Sequence, residues 1–245
     1  MKLTILGNNG PYPAAGGACS GYLLREGDTS ILIDCGNGVL SNLQKYISFE
    51  SLDAIILTHL HSDHVSDMMV LKYAVQIKKK RGQFDRNLPV YAPAEPEEEY
   101  RRLDVKDAFD LMPVNEGLVL EIGGITVNFA KMKHPSPDFA VSFQCRGKRF
   151  VFSGDTSWTE NIISFARDAD VLMLDAGLFA REKTSGGDVP HLTAEECGIV
   201  AREAIAGKLI LTHFWPENNI DELVDEARRN FKNTEAAKLL QEYEI

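Results

Sequence analysis

The segment 58–64, Thr-His-Leu-His-Ser-Asp-His, holds three of the six histidines of the chain within seven positions. His59 and His61 are two residues apart, so in extended backbone their imidazoles point to the same side. Asp63 and His64 follow at a predicted turn into a helix and would face a slightly different point. Imidazole and carboxylate groups are preferred ligands of borderline divalent metal ions. One short segment can therefore serve two neighbouring ions.

Other metal-capable residues stand where apolar strands are predicted to end. The runs Ala-Ile-Ile-Leu-Thr, Arg-Phe-Val-Phe-Ser-Gly and Lys-Leu-Ile-Leu-Thr lead into His59, Asp155 and His213. His134 follows a fourth such run. Strand ends are rigid and the loops beyond them are exposed, so a site there is both pre-organised and accessible. A lone histidine is usually a core or surface residue, but the density of this set favours a metal site.

The pattern of strands and helices predicts the fold class. Each half of the chain begins with apolar hairpins and ends with strand–helix units. Helical spacing is predicted from Val65 to about Lys80 and again in the tail from about Asn219. These patterns predict two sheets packed face to face with helices outside. Because no linker or internal repeat divides the chain, we predict a single domain over 1–245.

Composition narrows the classes of partner. The net charge of −10 means that the surface as a whole repels long polyanions, which disfavours their binding. The four cysteines form no C-x-x-C pair, which is typical of reduced thiols in the cytoplasm. No secretory signal is apparent, and no apolar run reaches the roughly 18 residues that a membrane-spanning helix needs. We therefore expect a cytoplasmic protein with no membrane partner.

The segment 58–64 resembles the signature of the metallo-β-lactamase superfamily. Asp34, in Ile-Leu-Ile-Asp-Cys-Gly, lies in a segment similar to the family's first motif, which supports the site from behind the ligands. His134, Asp155 and His213 resemble the third, fourth and fifth motifs. The resemblance covers the chain from residue 3 to about residue 215. It implies an α/β (α+β) fold, the four-layer αβ/βα sandwich of the metallo-β-lactamase type.

The resemblance also implies two divalent metal ions per chain, with a water or hydroxide between them. Zinc is expected first because the ligands are rich in histidine, with manganese or iron as alternatives. The implied ligands are His59, His61 and His134 for the first ion, Asp63, His64 and His213 for the second, and Asp155 bridging both.

The C-terminal half resembles ribonuclease Z and its cyclic-phosphodiesterase relatives. His191 opens a helix rich in alanine and glutamate, and Asp175 stands where that branch carries a glutamate. The resemblance implies that Asp175 orients His191 and that His191 protonates the leaving alkoxide, with Asp63 as a third catalytic residue. The alternative for Asp175 and His191 is a purely structural place at a strand end and a helix start. His61 stands where the diiron oxidoreductase branch usually carries glutamate, which disfavours redox chemistry.

One departure from ribonuclease Z bears on the substrate. His134 and Asp155 are only 21 positions apart, and a predicted hairpin fills that gap. The gap leaves no room for the long tRNA-binding arm of ribonuclease Z. Together with the net charge, this argues against full-length tRNA as a substrate. The basic run 78–81 is better explained as a helix C-terminus, where the macrodipole favours cations.

We therefore expect a binuclear metal-dependent hydrolase that acts on a small phosphodiester, such as a cyclic nucleotide or a short nucleic-acid fragment. The expected mechanism is attack by a metal-bridging hydroxide. Two alternatives stay open: a carboxylic-ester, lactone or thioester hydrolase of the same fold, and a non-catalytic metal-binding protein. The resemblance suggests a homodimer. Trp158 or Phe214-Trp215 could wall the pocket, although core packing is favoured for these residues, and the polar segment 181–191 is predicted to form a lid.

Overall fold

The computed structural model describes residues 1–183 and 189–245. Residues 184–188 of the predicted lid lie outside the described residues. The strands, in chain order, are β1 (Lys2–Gly7), β2 (Gly21–Glu26), β3 (Thr29–Ile33), β4 (Ala54–Ile56), β5 (Leu88–Pro93), β6 (Phe109–Val114), β7 (Val119–Ile122), β8 (Ile125–Lys131), β9 (Phe139–Cys145), β10 (Lys148–Phe152), β11 (Val171–Asp175), β12 (Lys208–Thr212), β13 (Thr234–Ala236) and β14 (Glu242–Glu244).

The helices are mostly short and lie between the strands. Within the described ranges, none is long and apolar enough to cross a membrane. The helices are α1 (Val39–Leu43), α2 (Ser62–Val65), α3 (Met68–Lys80), α4 (Glu97–Leu103), α5 (Glu160–Phe165), α6 (Ala194–Glu203) and α7 (Ile220–Arg228).

The strands form two mixed sheets. The first has the order β14-β1-β2-β3-β4-β5-β6, and the second has the order β13-β12-β11-β10-β9-β8-β7. Apolar side chains of both sheets meet in one buried layer, where Tyr22 of the first sheet packs edge-to-face on Phe152 of the second at 4.9 Å. Helices cover the two outer faces with their own buried clusters. The predicted four-layer αβ/βα sandwich is confirmed.

The helices pack through narrow apolar stripes. On α3, Met68, Leu71 and Val75 are buried against the first sheet at the i, i+3, i+7 spacing of one helix face. On the other side, α6 and α7 pack against the second sheet. Thr193 and Glu196 form the capping box that starts α6, so its N-terminal N–H groups are satisfied. This cap fixes the start of α6, with the N-cap Thr193 two residues after His191.

Two secondary-structure predictions were wrong in detail. The helix predicted from Val65 to Lys80 is divided, because α2 ends at Val65 and α3 begins at Met68. The tail is helical only in α7; beyond it the chain extends and pairs with both sheets. Strand β13 adds to β12 and β14 adds to β1. The β14–β1 pairing joins the two ends of the chain, and the β13–β12 pairing is made across α7, so local spacing reveals neither.

The strand directions bring one set of chain ends together. Pairs β3–β4, β10–β11 and β11–β12 are parallel, so their carboxyl ends lie at the same edge of each sheet. Strand β8 runs in the same direction as β10, because both are antiparallel to β9. The residues that follow these strands therefore lie at one edge of the sandwich. In open α/β sheets, ligands bind at this edge, outside the carboxyl ends of the strands.

Two glycines let loop backbones approach this edge closely. A Cβ added at Gly10 would lie 1.9 Å from Nε2 of His213, and one added at Gly36 would lie 1.9 Å from the carbonyl oxygen of Asp63. Real side chains cannot occupy such positions without displacing a neighbour. The loops after β1 and β3 are therefore packed directly against the residues that end β12 and begin α2.

Replacing Gly10 by alanine is expected to lower the free energy of unfolding by about 1–3 kcal/mol, the usual cost of overpacking. The added methyl group would displace the imidazole of His213. Urea unfolding of the metal-free protein, followed by circular dichroism, measures this change. The matched control is Gly117→Ala, where the nearest atom to the added Cβ is 3.5 Å away. Equal unfolding midpoints for the two variants would contradict the close contact at Gly10.

Candidate metal centre

All six histidines of the chain lie in one cluster at the shared strand edge. Neighbouring imidazole centroids are between 4.1 Å apart, for His59 and His64, and 6.1 Å apart, for His134 and His191. The structure brings together every residue that the sequence predicted for the site: His59, His61, Asp63, His64, His134, Asp155, Asp175, His191 and His213.

The carboxylate of Asp155 lies at the centre of this cluster. Its oxygens are 3.7 Å from Nε2 of His59, 3.4 Å from Nε2 of His64 and 3.3 Å from Nε2 of His213. Asp155 and these three histidines are almost fully buried. A carboxylate faced by three ring nitrogens is the arrangement expected of a shared metal ligand.

The five histidines other than His191, together with Asp63, divide around Asp155 into the two predicted groups. One group is His59, His61 and His134, whose donor atoms lie within 4.8 Å of one another. The second is Asp63, His64 and His213, in which Asp63 Oδ2 is 3.2 Å from Nε2 of His213 and 3.7 Å from Nε2 of His64. His61 is exposed and Asp63 is partly exposed, so one side of the cluster opens to solvent.

Several imidazoles are fixed from behind by acceptors. His64 Nδ1 is 2.8 Å from Oδ2 of Asp34, which also accepts hydrogen bonds from Thr58. Asp34 thus takes the supporting place that the resemblance implied. His134 Nδ1 donates to the carbonyl oxygen of Ser136 at 3.1 Å. A donated Nδ1–H leaves Nε2 as the free lone pair, which selects the tautomer that a metal ion needs.

Asp138 belongs to this outer set and was missed in the sequence. Its Oδ2 is 2.7 Å from Nδ1 of His59, and it accepts the backbone N–H of Asp155 at 3.0 Å. It is fully buried. The available signal was weak: a lone carboxylate four residues past His134, in a proline-rich loop with no periodic pattern.

Asp175 and His191 form a pair beside the cluster. Oδ2 of Asp175 is 2.6 Å from Nδ1 of His191, and its Oδ1 is 3.4 Å from Nδ1 of His213. The rings of His191 and His213 are stacked at 5.3 Å. One buried carboxylate therefore hydrogen-bonds His191 and also lies close to His213, which belongs to the predicted second ligand group.

Burial and charge set the protonation of these groups. Burial lowers the pKa of His59 to about 3, with a smaller effect from His64, so this imidazole is neutral. Burial also opposes charge on His64 and His213, yet Asp155 together with Asp34 raises the pKa of His64 well above the usual range, and Asp155 together with Asp175 and Asp63 does the same for His213. In turn these cations overcome burial and hold the pKa of Asp155 well below its ordinary value.

The donor set fits divalent metal ions. Among the described residues, Nε2 of His59, Nε2 of His64 and Oδ1 of Asp155 are buried and have no hydrogen-bond partner. Leaving such atoms unpaired costs about 1–3 kcal/mol each. All three face the centre of the cluster. A bound cation would coordinate these atoms and neutralise the carboxylate charge of Asp155, which protons on His64 and His213 neutralise when no metal ion is bound.

Comparisons with known proteins agree with this geometry. Residues 29–214 match the family described as "Beta-lactamase superfamily domain". The chain is 36% identical to the "Probable metallo-hydrolase YhfI" of Bacillus subtilis over 232 residues, 94% of each protein. The crystal structure of that protein superposes with a TM-score of 0.94, at 34% identity, over 99% of this chain and 98% of the other.

Similarity extends to ribonuclease Z. The enzyme of Archaeoglobus fulgidus is 26% identical over 303 aligned positions, covering 100% of this chain and 98% of the relative. The short form of human tRNase Z has the same fold, with a TM-score of 0.76 at 20% identity over 100% of this chain and 99% of the other. The chain belongs to the ribonuclease Z-like branch of the metallo-β-lactamase superfamily.

Proposed function

We propose that this protein is a binuclear metal-dependent hydrolase that cleaves a small phosphodiester. The observation that carries the proposal is the hydrogen-bonded pair of the buried Asp175 and the partly buried His191, which lies beside a set of candidate metal-binding groups. The metal-binding groups support hydrolysis in general. The pair supports a substrate whose leaving group needs a proton.

The ligand assignment follows the two groups around Asp155. We propose that His59, His61 and His134 hold one ion, that Asp63, His64 and His213 hold the other, and that Asp155 bridges them. When bound, such an ion pair supplies a nucleophile at neutral pH and neutralises charge developing on the substrate. Histidine-rich donors favour zinc, and the bridging carboxylate also suits manganese or iron.

His191 is the proposed general acid. Its Nδ1 is engaged by Asp175, so its Nε2 is the nitrogen left to face a substrate. Burial opposes protonation, but the charge of Asp175 and the hydrogen bond to it raise the pKa of His191 above its ordinary value. A protonated His191 can deliver a proton to the departing oxygen, which is worth about 10²–10⁴-fold in rate.

The surroundings favour a small phosphodiester. Between His134 and Asp155 the chain contains only a short loop and the β9–β10 hairpin. A cavity of about 380 Å³ adjoins His134 and includes Lys133 and Ser157 in its lining, which is within the usual range for small-molecule sites. The similarity to ribonuclease Z supports phosphodiester chemistry, whereas the net charge of −10 disfavours a long nucleic acid.

The wild-type protein is expected to bind two divalent ions and to hydrolyse bis-p-nitrophenyl phosphate when zinc or manganese is supplied. His61→Ala removes one donor and should abolish turnover and reduce the bound metal, measured by elemental analysis. The control is Tyr73→Leu on the exposed face of α3. Two bound ions with no turnover across a panel of phosphodiesters and esters would instead identify a non-catalytic metal-binding protein.

Removing the proposed acid should penalise poor leaving groups selectively. His191→Ala is expected to lower turnover of a cyclic nucleotide, which departs as an alkoxide, by about 10²–10⁴-fold. Turnover of bis-p-nitrophenyl phosphate should fall much less, because p-nitrophenolate leaves without a proton. Asp175→Asn should likewise lower turnover of the cyclic nucleotide more than turnover of bis-p-nitrophenyl phosphate. Equal losses on both substrates would contradict the role, and turnover confined to esters, lactones or thioesters would replace the proposed reaction.

Asp138→Asn keeps the shape of the side chain but replaces one oxygen of the carboxyl group that holds Nδ1 of His59 by an amide nitrogen. We expect metal affinity to fall by about 10–100-fold, as for other groups that support metal-binding histidines. Competition with a chromophoric chelator measures the affinity, and thermal unfolding of the metal-free variant checks its fold. The exposed Asp85→Asn is the control. An unchanged affinity in Asp138→Asn would show that the neutral amide orients His59 equally well.

A further inference from the structure

The side chain of Glu226 is a buried carboxylate that neither the candidate metal centre nor the proposed proton transfer uses. It lies on α7 and is only 9% exposed. The neighbouring Leu223 and Ala227 belong to the buried cluster that covers the second sheet. Burying a carboxylate costs free energy unless donors satisfy its oxygens. The donors that face Glu226 therefore indicate what this carboxylate does.

Among the described residues, two backbone N–H groups donate to the same oxygen of Glu226. Oε1 accepts the N–H of Ala180 at 2.8 Å and the N–H of Glu195 at 3.3 Å. Ala180 is the first residue of the short 3-10 helix Ala180–Glu182, and Glu195 lies in the first turn of α6. N–H groups at the start of a helix have no partner within that helix, and the helix dipole favours an anion there. Glu226 thus ties two helix starts to α7.

The two tied segments follow the two members of the proposed proton-transfer pair. Ala180 is five residues after Asp175, and Glu195 is four residues after His191. Asp175 is fixed at the end of β11, which pairs with a strand on each side. His191 lies outside the strands and helices, shortly before α6. Its distance from Asp175 therefore depends on how the start of α6 is held.

Other contacts also hold the start of α6, but they reach less far. The N–H of Ala194 donates to the carbonyl oxygen of Leu178 at 2.8 Å, which joins the same two segments directly. The capping box of Thr193 and Glu196 is confined to the first turn of α6. Glu226 differs from both, because it connects the joined segments to a third element, α7, whose apolar face packs in the core.

We propose that Glu226 is a positioning residue that keeps the imidazole of His191 at hydrogen-bonding distance from Asp175. This inference rests on the proposed function, in which His191 protonates the leaving group. A general acid must lie within hydrogen-bonding reach of the atom that it protonates, and a displacement of about 1 Å can cost about 100-fold in rate. The proposed metal ligands are oriented by other acceptors, among them Asp138 and Asp34. Loss of Glu226 should therefore impair proton donation and leave the metal centre intact.

Glu226→Ala removes the shared acceptor and is expected to lower turnover of a cyclic nucleotide by about 10–100-fold. Turnover of bis-p-nitrophenyl phosphate and the bound metal should stay near the wild-type values. Glu226→Met, which removes the acceptor but fills the buried space, should give the same losses and guards against a variant that fails to fold. Glu226→Gln should retain turnover of the cyclic nucleotide, because both N–H groups use one oxygen and the amide keeps one. Thermal unfolding checks the fold of each variant.

A second measurement reports on the pair without any hydrolysis. In the metal-free protein, the proton between Nδ1 of His191 and Oδ2 of Asp175, which are 2.6 Å apart, should give a low-field proton NMR resonance. His191→Gln identifies this resonance by its disappearance. We expect it to be lost through exchange with water in Glu226→Ala and Glu226→Met and to persist in Glu226→Gln.

Asp225→Ala is the matched control, because it removes an exposed carboxylate from the adjacent position of α7 and should leave both measurements unchanged. Equal losses on the two phosphodiesters in Glu226→Ala, or an unchanged resonance there, would overturn the proposal. A loss in Glu226→Gln as large as in Glu226→Ala would overturn it as well. Loss of the resonance in Glu226→Ala without phosphodiester turnover by the wild type would support the positioning and reject the proposed reaction, whereas turnover with an unchanged resonance would do the reverse.

Discussion

The buried carboxylate of Asp155 is the constraint on which the rest of the site depends. A buried charge is tolerated only when partners of opposite charge or metal ions balance it. The partners come from both sheets: His59 and His64 follow β4, and His213 follows β12. Balancing one carboxylate therefore fixes how the carboxyl ends of the two sheets meet. Glycines occur where neighbouring loops contact this cluster, because a side chain there would displace its residues.

Around this charge lies an outer layer of acceptors that holds the imidazoles. Asp138, Asp34, Asp175 and the carbonyl oxygen of Ser136 each face an Nδ1 atom. Their common effect is to turn Nε2 of each ring toward the centre. Because most of these acceptors follow rigid strands or lie in loops packed against them, the donor atoms are pre-organised before any ion binds. The same layer separates His191, which is held for proton transfer, from the rings that we assign to the metal ions.

The sequence by itself determined the metal-binding motif and the fold class, because both depend on local order. Four residues of the motif are close in the chain: His59, His61, Asp63 and His64. The other three follow the ends of apolar strands: His134, Asp155 and His213. The hairpins and the capping box at Thr193 are equally local. Only the tertiary structure decided the role of Asp138 and the pairing of the tail with both sheets. These features depend on contacts between residues that are not neighbours in the chain, and such contacts produce no periodic pattern of residue types in the sequence.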